Sequence, residues 1–293
     1  MITRIIFGLS AIPFVLLPLW MGGVWTLLFA LTVGLVAGYE YCTLILHSTS
    51  PLPETTTVSH PMPHPMSHPV PDSAIDKKNQ SHTWHFYALV LLWISLFIVQ
   101  SWQPNIIPLE LLIVGLLLTT LIYALFQPQA ASLFWFSATT GVLYIGFILG
   151  RAMILAALPH GFWWLILVLL VAWMNDTTAY FVGSFLGKHR LWPRISPNKT
   201  WEGSVGGWIG GACMGAFVTW ITPVPLSIWM GFSVGFIGGI FALFGDLAVS
   251  VLKRQAQAKD TGAIFPGHGG VLDRLDSILF VLPFIWIVAM YLS

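Results

Sequence analysis

Nine apolar runs restrict what this chain can become more than any other feature. They span Ile5–Trp20, Val24–Leu44, Phe86–Trp102, Leu109–Phe126, Leu133–Leu155, Phe162–Phe185, Val205–Ile221, Leu226–Leu252 and Ile278–Leu292. Each approaches the ~20 residues an α-helix needs to cross a ~30 Å hydrocarbon core. Lipid offers no partner to a free N–H or C=O, so runs of this kind must satisfy their own backbones as helices. The expected fold is therefore an all-α integral membrane protein, a polytopic bundle of about nine transmembrane helices. Asp, Glu, Lys and Arg make up 8% of the chain, against roughly 25% in a soluble domain. A net charge of +1 excludes nucleic acid as the main partner. Cys42 and Cys213 both fall in apolar runs, which excludes a disulfide framework and a C-x-x-C metal site. The first run follows Arg4 as a signal peptide's would, but no A-x-A-like site follows it, so it reads as a retained helix. That run is short, and Pro13 and Pro18 make it a re-entrant or distorted segment.

Orientation follows from the basic residues. With the N-terminus inside and the sides alternating, the inside receives Arg4, Lys77, Lys78, Lys188, Arg190, Arg194, Lys199, Lys253, Arg254, Lys259 and Arg274. The outer connections Met21–Gly23, Gln103–Pro108 and Thr222–Pro225 receive none, as the positive-inside rule requires. Only Arg151 lies within a span, and its depth calls for a partner that the sequence does not name.

Between the second and third runs, residues 47–85 read as a flexible cytoplasmic loop rich in Pro, Ser, Thr and His. His60, His64 and His68 recur every fourth residue, but the prolines among them forbid the helix that would align them. A metal-binding tract and a tolerated insertion are the two readings, and the second is favoured. The regions expected are thus 1–46 (N-terminal helices), 47–85 (loop), 86–158 (middle helices) and 159–293 (a C-terminal region that holds most of the polar residues).

Several polar residues interrupt the apolar runs. Glu40, in A-G-Y-E-Y, either supports a site or merely sits at the headgroup level, and the second reading is favoured. Asn175 and Asp176 stand in W-M-N-D-T-T-A-Y, where an unpaired carboxylate would be costly and a cation partner is expected. Gly203, Gly207, Gly211 and Gly215 form a stripe suited to close helix packing. On one helix face Asp246, Ser250 and Lys253 or Arg254 make a polar stripe ending at the cytoplasmic border. It is continued by Lys259, Asp260, His268, Asp273, Arg274 and Asp276 in S-V-L-K-R-Q-A-Q-A-K-D-T-G-A-I-F-P-G-H-G-G-V-L-D-R-L-D. Carboxylates able to hold a divalent ion, beside Lys and Arg at a membrane face, suggest phosphoryl or nucleotidyl chemistry.

The spacings S-x-x-K-R-x-x-x-x-K-D and P-G-H-G-G-x-x-D-R-x-D resemble the signature of phosphatidate cytidylyltransferases (CDP-diacylglycerol synthases). Asn175, Asp176, Tyr180 and Gly183 resemble a further element of that family, and Ser196, Pro197, Lys199, Thr200, Glu202 and Gly203 another. The resemblance covers roughly Asn175–Asp276, and the His-rich loop departs from it. It implies a nucleotidyltransferase that uses CTP and phosphatidic acid to make CDP-diacylglycerol and pyrophosphate. It also implies a multi-pass protein of the bacterial-type inner (cytoplasmic) membrane with its site facing the cytoplasm, and residues 159–293 as the catalytic region. In this reading Asp246 and Asp273 hold Mg²⁺, and Asp176, Asp260 and Asp276 complete the metal shell or orient the bases. Lys199, Lys253, Arg254 and Lys259 bind phosphates, and Asn175, Ser196, Thr200, Glu202, Ser250, His268 and Arg274 support substrate binding. A second cation such as K⁺ and a homodimer are carried as further expectations. The rivals are a CTP-dependent lipid (polyprenol-type) kinase and an ion-coupled transporter.

Overall fold

A computed structural model describes residues 13–49, 73–127, 130–262 and 269–292. A short helical segment, 13–21, precedes α1 (Gly23–Thr49), α2 (Ser73–Trp102), α3 (Leu109–Leu125) and α4 (Ala131–Ala157). Then come α5 (Gly161–Leu186), the strands β1 (Arg190–Trp192) and β2 (Ser196–Thr200), α6 (Trp201–Ile221), α7 (Ile228–Gln255) and α8 (Leu272–Leu292). Seven of these helices are long and apolar enough to cross a membrane, and α3 is a shorter apolar helix. With segment 13–21 they account for the nine expected runs among the described residues.

The observed elements depart from expectation in three places. α1 runs on to Thr49 and α2 begins at Ser73, so both described flanks of the expected 47–85 loop are helical. His60, His64 and His68 lie outside the described residues. The connection after α5 is an antiparallel hairpin, with Arg190 opposite Thr200 and Trp192 opposite Ser196. α8 starts six residues before its apolar run, because its first turns carry Asp273, Arg274 and Asp276 toward a polar cavity.

α6 lies between α5 and α7 along the glycine stripe. A Cβ on Gly203 would stand 2.8 Å from Ala179 O and 3.0 Å from Gly183 Cα. One on Gly211 would stand 2.8 Å from Gly235 O, and one on Gly215 would run into Gly231 O. The stripe thus brings backbone against backbone on both sides, as small residues do where apolar surface supplies no drive for association. Gly215→Leu is expected to force α6 from α7 and to destabilise the protein by about 1–3 kcal/mol. Thermal melting in detergent, compared with Phe217→Leu at an exposed position of α6, checks this.

Arg151 finds its partners within the bundle. Its Nη2 donates to Ser101 Oγ at 2.8 Å and its Nε to Phe147 O at 3.3 Å. The guanidinium lies 4.2 Å from the Phe147 ring centre and 5.2 Å from that of Trp286. Phe147 closes a π-helical turn, Val142–Phe147, within α4. Among the described residues Arg151 forms no ion pair with a carboxylate. It lies toward the end of α4 far from the basic connections, and it ties α4 to α2 and α8 (Trp286 belongs to the latter).

Candidate active site

The C-terminal halves of α5 and α7, the N-terminal ends of α6 and α8, and the hairpin enclose a cavity of about 830 Å³. Its walls carry Asp176, Asp246, Asp260, Asp273 and Asp276 together with Arg190, Lys199, Lys253 and Arg274. Asn175, Asn198, Thr200 and Ser204 add neutral polar groups. The acidic and basic residues that the sequence scatters over a hundred positions therefore meet in one place.

Each wall has its own local logic. In α5, Asn175 is buried, and a Cβ added at Gly207 or Gly239 would come within 2.7 Å or 3.0 Å of its Oδ1. Its Nδ2 donates to Asp176 Oδ1 at 3.2 Å, and Ser277 Oγ of α8 donates to Asp176 Oδ2 at 3.1 Å. Thr200 caps α6, its Oγ1 accepting from Gly203 N at 3.1 Å. That cap sets the register of β2, whose Lys199 Nζ lies 2.6 Å from Asp246 Oδ2. Ser250 Oγ, one turn along α7, donates to Asp246 Oδ1 at 3.3 Å. A further turn on, Lys253 Nζ pairs with Asp273 Oδ1 at 2.7 Å. Asp273 Oδ2 accepts from Thr261 N at 2.8 Å, Thr261 Oγ1 at 3.0 Å and Gly270 N at 3.0 Å. Asp276, buried in α8, accepts from Ser277 N at 2.7 Å and lies within electrostatic reach of Asp246 and Asp176.

The expected site residues separate into groups. Asn175, Asp176, Lys199, Thr200, Asp246, Lys253, Asp260, Asp273, Arg274 and Asp276 line the cavity, and Ser250 bonds to one of its acids. Four others do not line it. Arg254 turns outward and donates to Ile195 O at 3.1 Å, which ties α7 to the hairpin. Lys259 is exposed beside the cavity. Ser196 serves the strand pairing. Glu202 faces the base of the hairpin, accepting from Lys188 N at 3.1 Å and His189 N at 3.2 Å and meeting His189 Nδ1 at 2.6 Å. Its observed work is to close the hairpin rather than to enter the cavity. His268 lies outside the described residues. Arg190 and Asn198 line the cavity without having been singled out as site residues. The β1–β2 register that turns them inward has no clear signal in so short a segment.

Glu40 is the residue whose importance the sequence leaves open. It is 2% exposed, and its carboxylate accepts from Val271 N, Leu272 N and Thr261 Oγ1 at 3.0, 2.8 and 2.9 Å. Glu40 is therefore held inside the protein by its own hydrogen bonds rather than left open among headgroups.

The donor set suits a hard divalent cation in kind. Asp176, Asp246 and Asp276 offer oxygens only, and the buried Asn175 Oδ1 has no hydrogen-bond partner among the described residues. Five aspartates against four basic residues leave the walls net negative by one charge before any anion enters. Among the described residues, no set of three or more His, Cys, Asp or Glu side chains closes on a single metal position. Two of the carboxylates are instead paired with Lys199 and Lys253.

Comparison with known proteins follows this geometry. The chain is 40% identical over 142 residues to the phosphatidate cytidylyltransferase of Staphylococcus haemolyticus, which is 48% of this chain and 54% of that protein. It is 41% identical over 127 residues to that of Bacillus subtilis (43% and 47%), and 39% identical over 142 residues to that of Staphylococcus aureus strain COL (48% and 54%). The chain spans about half the length of the curated relatives it matches. The model of the cytidylyltransferase family matches residues 73–292, which includes every wall of the cavity. By that match the chain belongs to the cytidylyltransferase family.

Proposed function

We propose that this multi-pass membrane protein transfers the cytidylyl group of CTP to phosphatidic acid, forming CDP-diacylglycerol for phospholipid synthesis and releasing pyrophosphate. The observation that carries this reading is the cavity at one end of the helical bundle, where bases able to hold a polyphosphate stand among acids able to hold a cation. The names of the relatives point to the same chemistry. The basic connections share the cavity's end of the bundle, which supports a cytoplasmic site in a bacterial-type inner membrane.

A phosphatidate oxygen attacks the α-phosphorus of CTP, and the bond to the β-phosphate oxygen breaks with its electron pair leaving on pyrophosphate. The nucleophile is already an anion, so no side chain need remove a proton. Catalysis then rests on positioning and on neutralising charge. Lys199, Lys253, Arg190 and Arg274 would take up phosphate oxygens. Walls of formal charge minus one need added positive charge to hold a triphosphate and a phosphate monoester, a need that a divalent cation would meet. Mg²⁺, held by Asp246 with Asp176 and Asp276, would supply that charge and polarise the phosphates, and a second cation such as K⁺ fits the same need. Asp273 has both oxygens engaged, so its part is to hold Lys253, Thr261 and Gly270.

Purified protein given phosphatidic acid, Mg²⁺ and labelled CTP tests the proposal. Label in the α-phosphate should enter the lipid, and label in the γ-phosphate should appear in pyrophosphate. Entry of the γ-label into lipid would make the protein a kinase and overturn this reading.

A further inference from the structure

We infer that Glu40, in the N-terminal half of the chain, is a positioning residue for this reaction: it holds Thr261 and the start of α8 at Val271 and Leu272, so that Lys253, Asp273 and Asp276 keep their places. The inference rests on the cytidylyltransferase reading. Glu40 precedes the region matched by the family model.

Glu40 leaves α1 near its cytoplasmic end and is almost wholly buried. A carboxylate so placed is tolerable only if donors surround it. Its Oε1 takes Val271 N, and its Oε2 takes Leu272 N and Thr261 Oγ1. The two amides belong to the start of α8, where a helix leaves N–H groups without internal partners and favours negative charge. The backbone approaches the carboxylate closely, for a Cβ on Gly262 or Gly270 would collide with Glu40. Thr261 carries the contact onward, its hydroxyl lying against both Glu40 and Asp273. Asp273 in turn holds Lys253, which faces the cavity. One buried acid on α1 thereby fixes a base more than two hundred residues away.

The same hydrogen bonds could exist only to stabilise the fold, and the test separates the two cases. Glu40→Gln keeps the size of the side chain but turns an amide NH₂ toward groups that are themselves donors. The expected result is a KM for CTP raised several-fold and a kcat/KM lowered by about 10- to 100-fold, as for a reacting group displaced by about an ångström. Amide hydrogen exchange should rise at 256–262 and 269–273 and stay unchanged in α5 and α6. Glu40→Asp, which keeps the acid, should recover part of the loss. Thr261→Val, which removes only the intermediate hydroxyl, should raise KM in the same direction and serves if Glu40→Gln does not fold. A Glu40→Gln protein with unaltered KM, or with exchange raised uniformly, would overturn the inference. Should the unaltered protein prove inactive with CTP and phosphatidic acid, the functional reading fails while the exchange result still reports on Glu40.

Discussion

Asp246→Asn should lower cytidylyl transfer by about 10²- to 10³-fold while leaving the protein folded. Asp246 sits where α7, β2, Asp176 of α5 and the buried Asp276 of α8 converge. Neutralising it removes a charge that a divalent ion would need, and it also frees Lys199. The structural cost is small, because the Lys199–Asp246 pair is partly open to solvent, with side chains 21% and 32% exposed. Such a pair contributes about 1 kcal/mol or less. Its loss is offset by relief of the repulsion from Asp176 and Asp276. Melting in detergent should therefore stay where it was or rise slightly, as at sites where stability is given up for function. Wild-type turnover in Asp246→Asn would remove this residue from the site.

The opposite balance is expected at Asp273. Here the pair is closed in, with Lys253 13% and Asp273 10% exposed. Asp273→Ala strips Lys253 of its partner and leaves the Thr261 and Gly270 amides unmet. A buried cation left alone costs about 3–5 kcal/mol. The variant should lose both stability and activity. Adding Lys253→Met should restore much of the melting temperature without restoring turnover. Recovery of turnover in the double variant would show that Lys253 does not handle substrate.

The membrane class, the number of apolar spans and the glycine seam were legible in the sequence, because each rests on local composition or on one helical period. So was the convergence of Asp176, Asp246, Lys199 and Lys253, through the motif spacing. The hairpin was not, since residues 190–200 hold no alternating apolar pattern and their pairing is set by the Thr200 cap and the Glu202 clamp. The outward turn of Arg254 was also hidden. Lys253 and Arg254 are adjacent, and only the position of Ile195 O decides which one leaves the cavity. Glu40 was ambiguous because two of its three partners are backbone amides, which carry no sequence signal, and the third, Thr261, lies 221 residues away.

The contact of α6 with α5 and α7 through bare backbone has a mechanical consequence. Two main chains touching at Gly211, Gly215, Gly231 and Gly235 have no side-chain padding to yield. That seam is a fixed support, and any adjustment of the cavity falls to the hairpin, which is moored to the helices through Glu202, Arg254 and the Lys199–Asp246 pair.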